Sequence, residues 1–153
     1  MSFRLGAYAV FMKDGAVMLV HQSSNTWSLP GGRVEHGEDP IDTVAREVFE
    51  ETGYKAIVER LLGVDSRVVP AGQRVVSGGT DHHNVGIFYQ LRIIGGQPRP
   101  EPNGDTRGSR WIPLSDVILL SRSSLVDIGI ALATVVPSNG HVPPIAVGGL
   151  IQH

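Results

Sequence analysis

The 153-residue chain contains no cysteine, which removes a disulfide framework, a thiolate metal site and a thiol nucleophile together. It also has no long apolar run. The stretch "LGAYAVFM" stops at Lys13-Asp14, far short of the ~20 residues a membrane-spanning helix needs, and the "AYA" triplet comes too early to follow a signal-peptide core. Nor is there an excess of positive charge. Thirteen Lys and Arg stand against fifteen Asp and Glu, for a formal net charge of -2, so no global attraction to nucleic acid or an anionic membrane is expected. No repeat, linker or low-complexity block divides the chain, and its length suffices to bury one core. The expectation is a cytoplasmic protein with one domain over residues 1–136 and a tail over 137–153. That tail has no Lys, Arg, Asp or Glu and is broken by Pro and Gly. It is expected to be flexible rather than docked, with a homodimer left open.

What is present is organised by turn signals. Asp14-Gly15 supplies the positive φ angles of a tight turn, so "LGAYAVFMKDGAVMLVHQ" reads as a β-hairpin. The glycines and proline of "WSLPGGRVEHGEDP" leave room only for a short strand around Gly32 to Glu35. Asp39 suits a helix N-cap and Pro40 the first helical position. Ile41, Val44, Ala45, Val48 and Thr52 then recur at helical spacing toward the core, and Gly53 ends the run. "YKAIVERLLGVDSRVV" and "NVGIFYQLRII" read as strands, with the loop "PAGQRVVSGGTDHH" between them. A second long loop precedes a strand at "RWIPL", and a last helix is expected over about 124–136, capped by Ser123 or Ser124.

The first helix poses a question. Glu47, Glu50 and Glu51 lie three and four residues apart near its C-terminal end, where like charges repel and the helix dipole disfavours anions. A divalent cation explains the cost, because hard Mg²⁺ or Mn²⁺ is held by carboxylates, water and substrate phosphates. A solvated acidic face is the alternative for "EVFEE" alone. The glycines of "GGRVEHGE" and the nearby Glu38 let loop and helix form one site.

Gly32, five residues, Glu38, seven residues, then Arg46-Glu47-Val48-Phe49-Glu50-Glu51-Thr52-Gly53-Tyr54 resembles the signature of the Nudix hydrolases. Every fixed position is filled; Tyr54 stands where an aliphatic residue is usual. The resemblance implies an α/β/α sandwich around a mixed β-sheet. It also implies Mg²⁺- or Mn²⁺-dependent hydrolysis of a diphosphate linkage in a nucleoside diphosphate joined to another group. Carried over by position, Glu47, Glu50 and Glu51 become metal ligands, with the Gly31 carbonyl as a fourth contributor. Arg46 orients Glu47, Glu38 supports the loop, and Gly32 and Gly53 shape it. Glu47 is the first choice of general base. Glu101 and Asp105 are the acidic alternatives on the loop before Trp111, with a plain turn residue the competing reading of Asp105.

The substrate side is less determined. Trp27, Arg33, His83 and Asp105 are the candidate contacts, each weighed against a packing, surface or turn role. Pro70 lies sixteen positions past Tyr54, which resembles the pattern of relatives that cleave ADP-ribose. The expected partner is a nucleotide-derived small molecule, neither nucleic acid nor membrane. The alternative function is a nucleotide-sensing module on the same fold without turnover, against which the intact set of three glutamates argues.

Overall fold

A computed structural model describes residues 1–22, 25–74, 79–98 and 106–146. The strands are β1 (Ser2–Val10), β2 (Met12–Lys13), β3 (Ala16–Gln22), β4 (Trp27–Ser28), β5 (Gly31–Arg33), β6 (Tyr54–Val69), β7 (His82–Gly96) and β8 (Thr106–Pro113). The helices are α1 (Pro40–Thr52) and α2 (Ser124–Val135), with 3₁₀ turns at Ala71–Gln73 and Leu114–Leu119. None of the described helices is long and apolar enough to cross a membrane.

Local signals hold where they are strongest. Asp39 accepts a hydrogen bond from the Ile41 amide, Pro40 opens α1, and Gly53 closes it at φ 83°. Ser123 caps α2 by accepting from the Leu125 amide. Asp14 and Gly15 both have positive φ, at 52° and 75°, as the turn requires. The hairpin they make is short, because only Met12 and Lys13 pair with Val17 and Ala16. β1 instead crosses to another sheet, where it lies antiparallel to β5 and parallel to β7.

Two sheets result. One is mixed, in the order β5-β1-β7-β6; in the other, β3 pairs with β2, β4 and β8. The period-two alternation of β1 and β7 sends side chains to two separate cores. Ala7, Ala9, Phe11, Tyr89 and Leu91 pack with Val44 and Val48 of α1. Tyr8, Val10 and Phe88 pack with Leu125, Ile128 and Leu132 of α2. One helix therefore covers each face of the mixed sheet. Ile41, expected in the core, is exposed, and Thr43 is buried in its stead, while Thr52 is buried as expected. Their hydroxyls are satisfied by Glu38 and by the Val48 carbonyl, so burial costs them little.

The flexibility expected after Val136 does not hold through Ala146. Val64 donates its backbone N–H to Gly140 (3.0 Å), Arg67 donates to the Ile145 carbonyl, and Val142 and Ile145 pack on the α2-side core. An uncharged segment can dock this way because its carbonyls and aliphatic side chains supply the contacts. Residues 147–153 lie outside the described residues.

The docking rests on Gly63. A Cβ there would strike the Gly140 carbonyl oxygen and crowd Leu132. We expect Gly63→Ala to lower the unfolding free energy by about 1–3 kcal/mol in urea titrations. Gly72→Ala, whose Cβ meets nothing within 4 Å, should stay within about 0.5 kcal/mol of the parent. Equal midpoints for the two variants would refute this account of the C-terminal segment.

Candidate active site

Two consecutive glycines bring α1 against β5. Gly31 sits at φ 148°, and a Cβ there would collide with the Ala7 carbonyl and the Tyr8 backbone. This close approach lets its N–H donate to Glu51 Oε1 at 2.7 Å. Glu51 is 8% exposed, so the charge-assisted bond offsets part of the cost of burying a carboxylate. Gly32 makes room for Glu47, whose Oε1 lies 2.7 Å from the point a Cβ would occupy.

Arg46 joins the remaining charges. It donates to Glu38 through Nε (2.9 Å) and Nη2 (3.1 Å), and through Nη1 to Glu47 (3.0 Å) and Glu50 (3.3 Å). Glu38 also accepts from the Thr43 hydroxyl at 2.6 Å and the Glu35 amide at 3.3 Å. Hydrogen bonds from Arg46, then from Thr43, push the Glu38 carboxyl down to about 2. Glu47 moves the other way. Burial raises its pKa, Arg46 opposes the shift and Glu50 adds to it.

The convergence of Glu47, Glu50 and Glu51 on one patch is only partial. Arg46 draws Glu47 and Glu50 to itself while Glu51 turns to the Gly31 N–H. Among the described residues no three His, Asp or Glu side chains are grouped so as to hold a metal ion. The donor chemistry nonetheless fits a hard cation: carboxylate oxygens with a glycine backbone beside them, and no sulfur in the chain.

Residues 3–128 match the family model of the NUDIX domain. The chain belongs to the NUDIX family. It is 31% identical over 109 residues to a putative 8-oxo-dGTP diphosphatase of Bacillus subtilis, a match covering 70% of this chain and 64% of that protein. It is 36% identical over 92 residues to an ADP-ribose pyrophosphatase of Methanocaldococcus jannaschii, covering 58% and 50%. The chain thus spans less than two thirds of the length of either curated relative. A MutT NUDIX hydrolase from Burkholderia pseudomallei superimposes with a TM-score of 0.61 at 28% identity, over 76% of this chain and 88% of that one.

The other candidate contacts in this NUDIX chain are scattered. Trp27 stacks on His21, ring centroids 4.4 Å apart, and leans on the α2-side core. Arg33, at the end of β5, is exposed and lies opposite Gly6. His83 is the second residue of β7 rather than the end of a loop; it hydrogen-bonds Ser66 at 2.8 Å and meets Phe3 edge-on. Asp105 and Glu101 fall outside the described residues. A cavity of about 730 Å³ is walled by Phe11, Lys13, Tyr54, Ile93 and Trp111, among others, and by none of the three helix glutamates. Sequence reasoning missed Asn84, which is buried, like His82, on the strand parity opposite His83. Strand alternation separates the two sets, but the sequence does not show which parity faces inward.

The Glu38 shift carries a pH dependence. A carboxyl whose folded pKa is depressed contributes stability that is complete above its unfolded value near ~4.3 and disappears as pH falls toward the folded value. The gap in urea midpoint between wild type and Glu38→Gln should therefore be widest at neutral pH. It should narrow below about pH 4.5 and close near pH 2. A gap independent of pH would contradict the assignment.

Proposed function

We propose that this NUDIX chain is a divalent-metal-dependent pyrophosphohydrolase. It cleaves a diphosphate linkage in a nucleoside diphosphate joined to another group, with water attacking phosphorus. The observation that carries the reading is the meeting of Glu47 and Glu51 with the Gly31-Gly32 backbone, beside Glu50 and under the hold of Arg46. Glu47, Glu50, Glu51 and the Gly31 carbonyl are the groups that would hold Mg²⁺ or Mn²⁺. Such an ion neutralises phosphate oxygens and lowers the pKa of bound water.

Each protein group has a separate task. Glu47 takes the proton of the attacking water, its carboxylate aimed by the Arg46 Nη1 bond. Glu38 fixes Arg46 from behind with two parallel hydrogen bonds, a geometry that lysine cannot reproduce. Glu51 is held in place by the Gly31 N–H. Positioning and charge stabilisation account for most of the catalysis in phosphoryl transfer, which leaves little covalent work to the protein.

The relatives named for 8-oxo-dGTP and ADP-ribose direct the choice of substrates to these two compounds first. Pro70 caps the 3₁₀ turn after β6, a position compatible with either. The same reading places the protein in the cytoplasm, acting on a small nucleotide-derived molecule.

Purified protein with Mg²⁺ should hydrolyse at least one of ADP-ribose, 8-oxo-dGTP, ordinary nucleoside triphosphates, dinucleoside polyphosphates or nucleotide sugars. Glu47→Gln should lower kcat by at least ~100-fold, and EDTA should abolish turnover. Near-native kcat in Glu47→Gln at saturating Mg²⁺ would remove Glu47 as base and as essential ligand. Nucleotide binding without cleavage by the wild type would replace the hydrolase with a sensing module.

A further inference from the structure

The α2-facing side of the mixed sheet changes character beyond the helix. Its apolar half, with Tyr8, Val10 and Phe88, lies in the α2-side core. Continuing along the same parity, β1 presents Arg4 and Ser2, with Asn84 and His82 of β7 opposite them. Arg33 of β5 stands opposite Gly6, and Arg67 of β6 stands opposite Asn84. One sheet face thus carries a polar row running from β5 to β6.

The row ends in a basic corner where β1 and β7 begin. Arg74, just past the 3₁₀ turn after β6, enters it from outside the sheet, donating through Nη1 to the Thr80 carbonyl (2.7 Å) and to Ser2 Oγ (3.3 Å). Arg4 and Arg74 are half-buried and Arg33 is exposed, so their charged heads can meet a solute. Two acidic side chains border the row, and both are engaged. Asp65 accepts from Arg67 at 2.8 and 3.0 Å, and Asp81 accepts from the Ala71 amide at 2.9 Å.

His82 shows what the corner is built for. It is 5% exposed; its Nδ1 lies 2.7 Å from Ser2 Oγ, and its Nε2 has no hydrogen-bond partner among the described residues. A guanidinium only donates, so Ser2 Oγ accepts from Arg74 and its own proton goes to His82 Nδ1. Burial lowers the His82 pKa, and Arg74, Arg4 and Arg33 lower it further. The imidazole is therefore neutral, with its one proton on Nε2. A buried N–H without an acceptor is rare. Here it stands among three guanidiniums, and the common complement of such donors is an anion.

The corner is separate from the glutamates but connected to them. Tyr8 lies opposite Gly31, and Ser2 begins the same strand about 20 Å back at ordinary rise per residue. Arg4 spans part of that gap: it helps to hold down the Glu47 pKa at one end and acts on His82 at the other. With the diphosphate to be cut at the glutamate end, an anion beside Arg74 belongs to another part of the same substrate.

We propose that Ser2, Arg4, Arg74 and His82 form a subsite for a further phosphate, carried by the substrate outside the linkage that is hydrolysed. Guanidinium forks and an imidazole N–H match phosphate oxygens, whereas the hydroxyls of an unmodified sugar bring no charge to the corner. The last phosphate of a nucleoside triphosphate and a phosphate on the far sugar share this chemistry. The position of the cut rests on the hydrolase reading, and the test separates the two.

The test compares kcat/KM within two pairs that differ by one phosphate: the 1″-phosphate of ADP-ribose against ADP-ribose, and dGTP against dGDP. In at least one pair wild type should prefer the additional phosphate by about 10-fold or more, and the pair that responds identifies its source. Arg74→Gln, which keeps a donor for Ser2 and Thr80, should bring that ratio to within about 3-fold of unity. Arg74→Lys, with the charge but not the fork, should fall between. A purely structural role for Arg74 would lower both members of a pair alike and leave the ratio unchanged. Should Arg74→Gln fail to fold, the wild-type ratio is followed against NaCl, where it should shrink as salt screens the corner.

No preference in wild type, or one unaltered by Arg74→Gln or by salt, overturns the proposal and leaves the hydrolase reading intact. If wild type turns nothing over, the hydrolase reading fails and inorganic tripolyphosphate is titrated calorimetrically in EDTA, where bare glutamates repel it. Binding weakened at least about 10-fold in Arg74→Gln, or by salt should that variant not fold, then supports the subsite. Unaltered binding or none overturns it.

Discussion

A single guanidinium holds the acidic end of α1 together. Glu47, Glu50 and Glu51 gather negative charge where the helix dipole is already negative, an arrangement that helix physics opposes at every pair. Arg46 answers two of the three directly and is itself fixed by Glu38 across the loop. The charge problem is thereby moved off the helix and onto a loop that Asp39, Pro40 and Thr43 attach to its first turn. Glu51 is answered by a backbone amide, which only a glycine at Gly31 can bring close enough. The glycines and the arginine are thus solutions to one electrostatic constraint.

β5 is the hinge between the two sides of the molecule in a purely geometrical sense. In three residues it offers an N–H to Glu51, clears space for Glu47, and sends Arg33 to the border of the polar row on the opposite face. Strand alternation makes this possible without any irregularity. Glu51, held by the Gly31 N–H, and the buried Asn84 of β7 are consequently tied to the same sheet.

Features determined within a few residues were legible in the sequence. The limits of α1 follow from Asp39, Pro40 and Gly53, the extent of β6 from its β-branched run, and the loop-helix pairing from the spacing of Gly32, Glu38 and Arg46. Features determined by distant partners were not. Nothing near Phe11 says that β1 leaves its hairpin to pair with β7, because that choice is made by strands eighty residues away in the chain. His83 drew notice for its chemistry, whereas Asn84, one residue on, carries the burial. The Arg46 contacts likewise altered the expected grouping of carboxylates, since an arginine that orients one glutamate can reach its neighbour four residues later.

The docked segment after α2 bears on how copies of this chain can meet. β6 ends the mixed sheet, and an open strand edge is a template on which another chain can pair. The Gly140 carbonyl occupies the outward N–H of Val64, and the Ile145 carbonyl is tied down by Arg67. A second sheet cannot be added along this stretch without first peeling the segment away. Edge-to-edge pairing at this stretch of β6 is therefore discouraged by the chain itself.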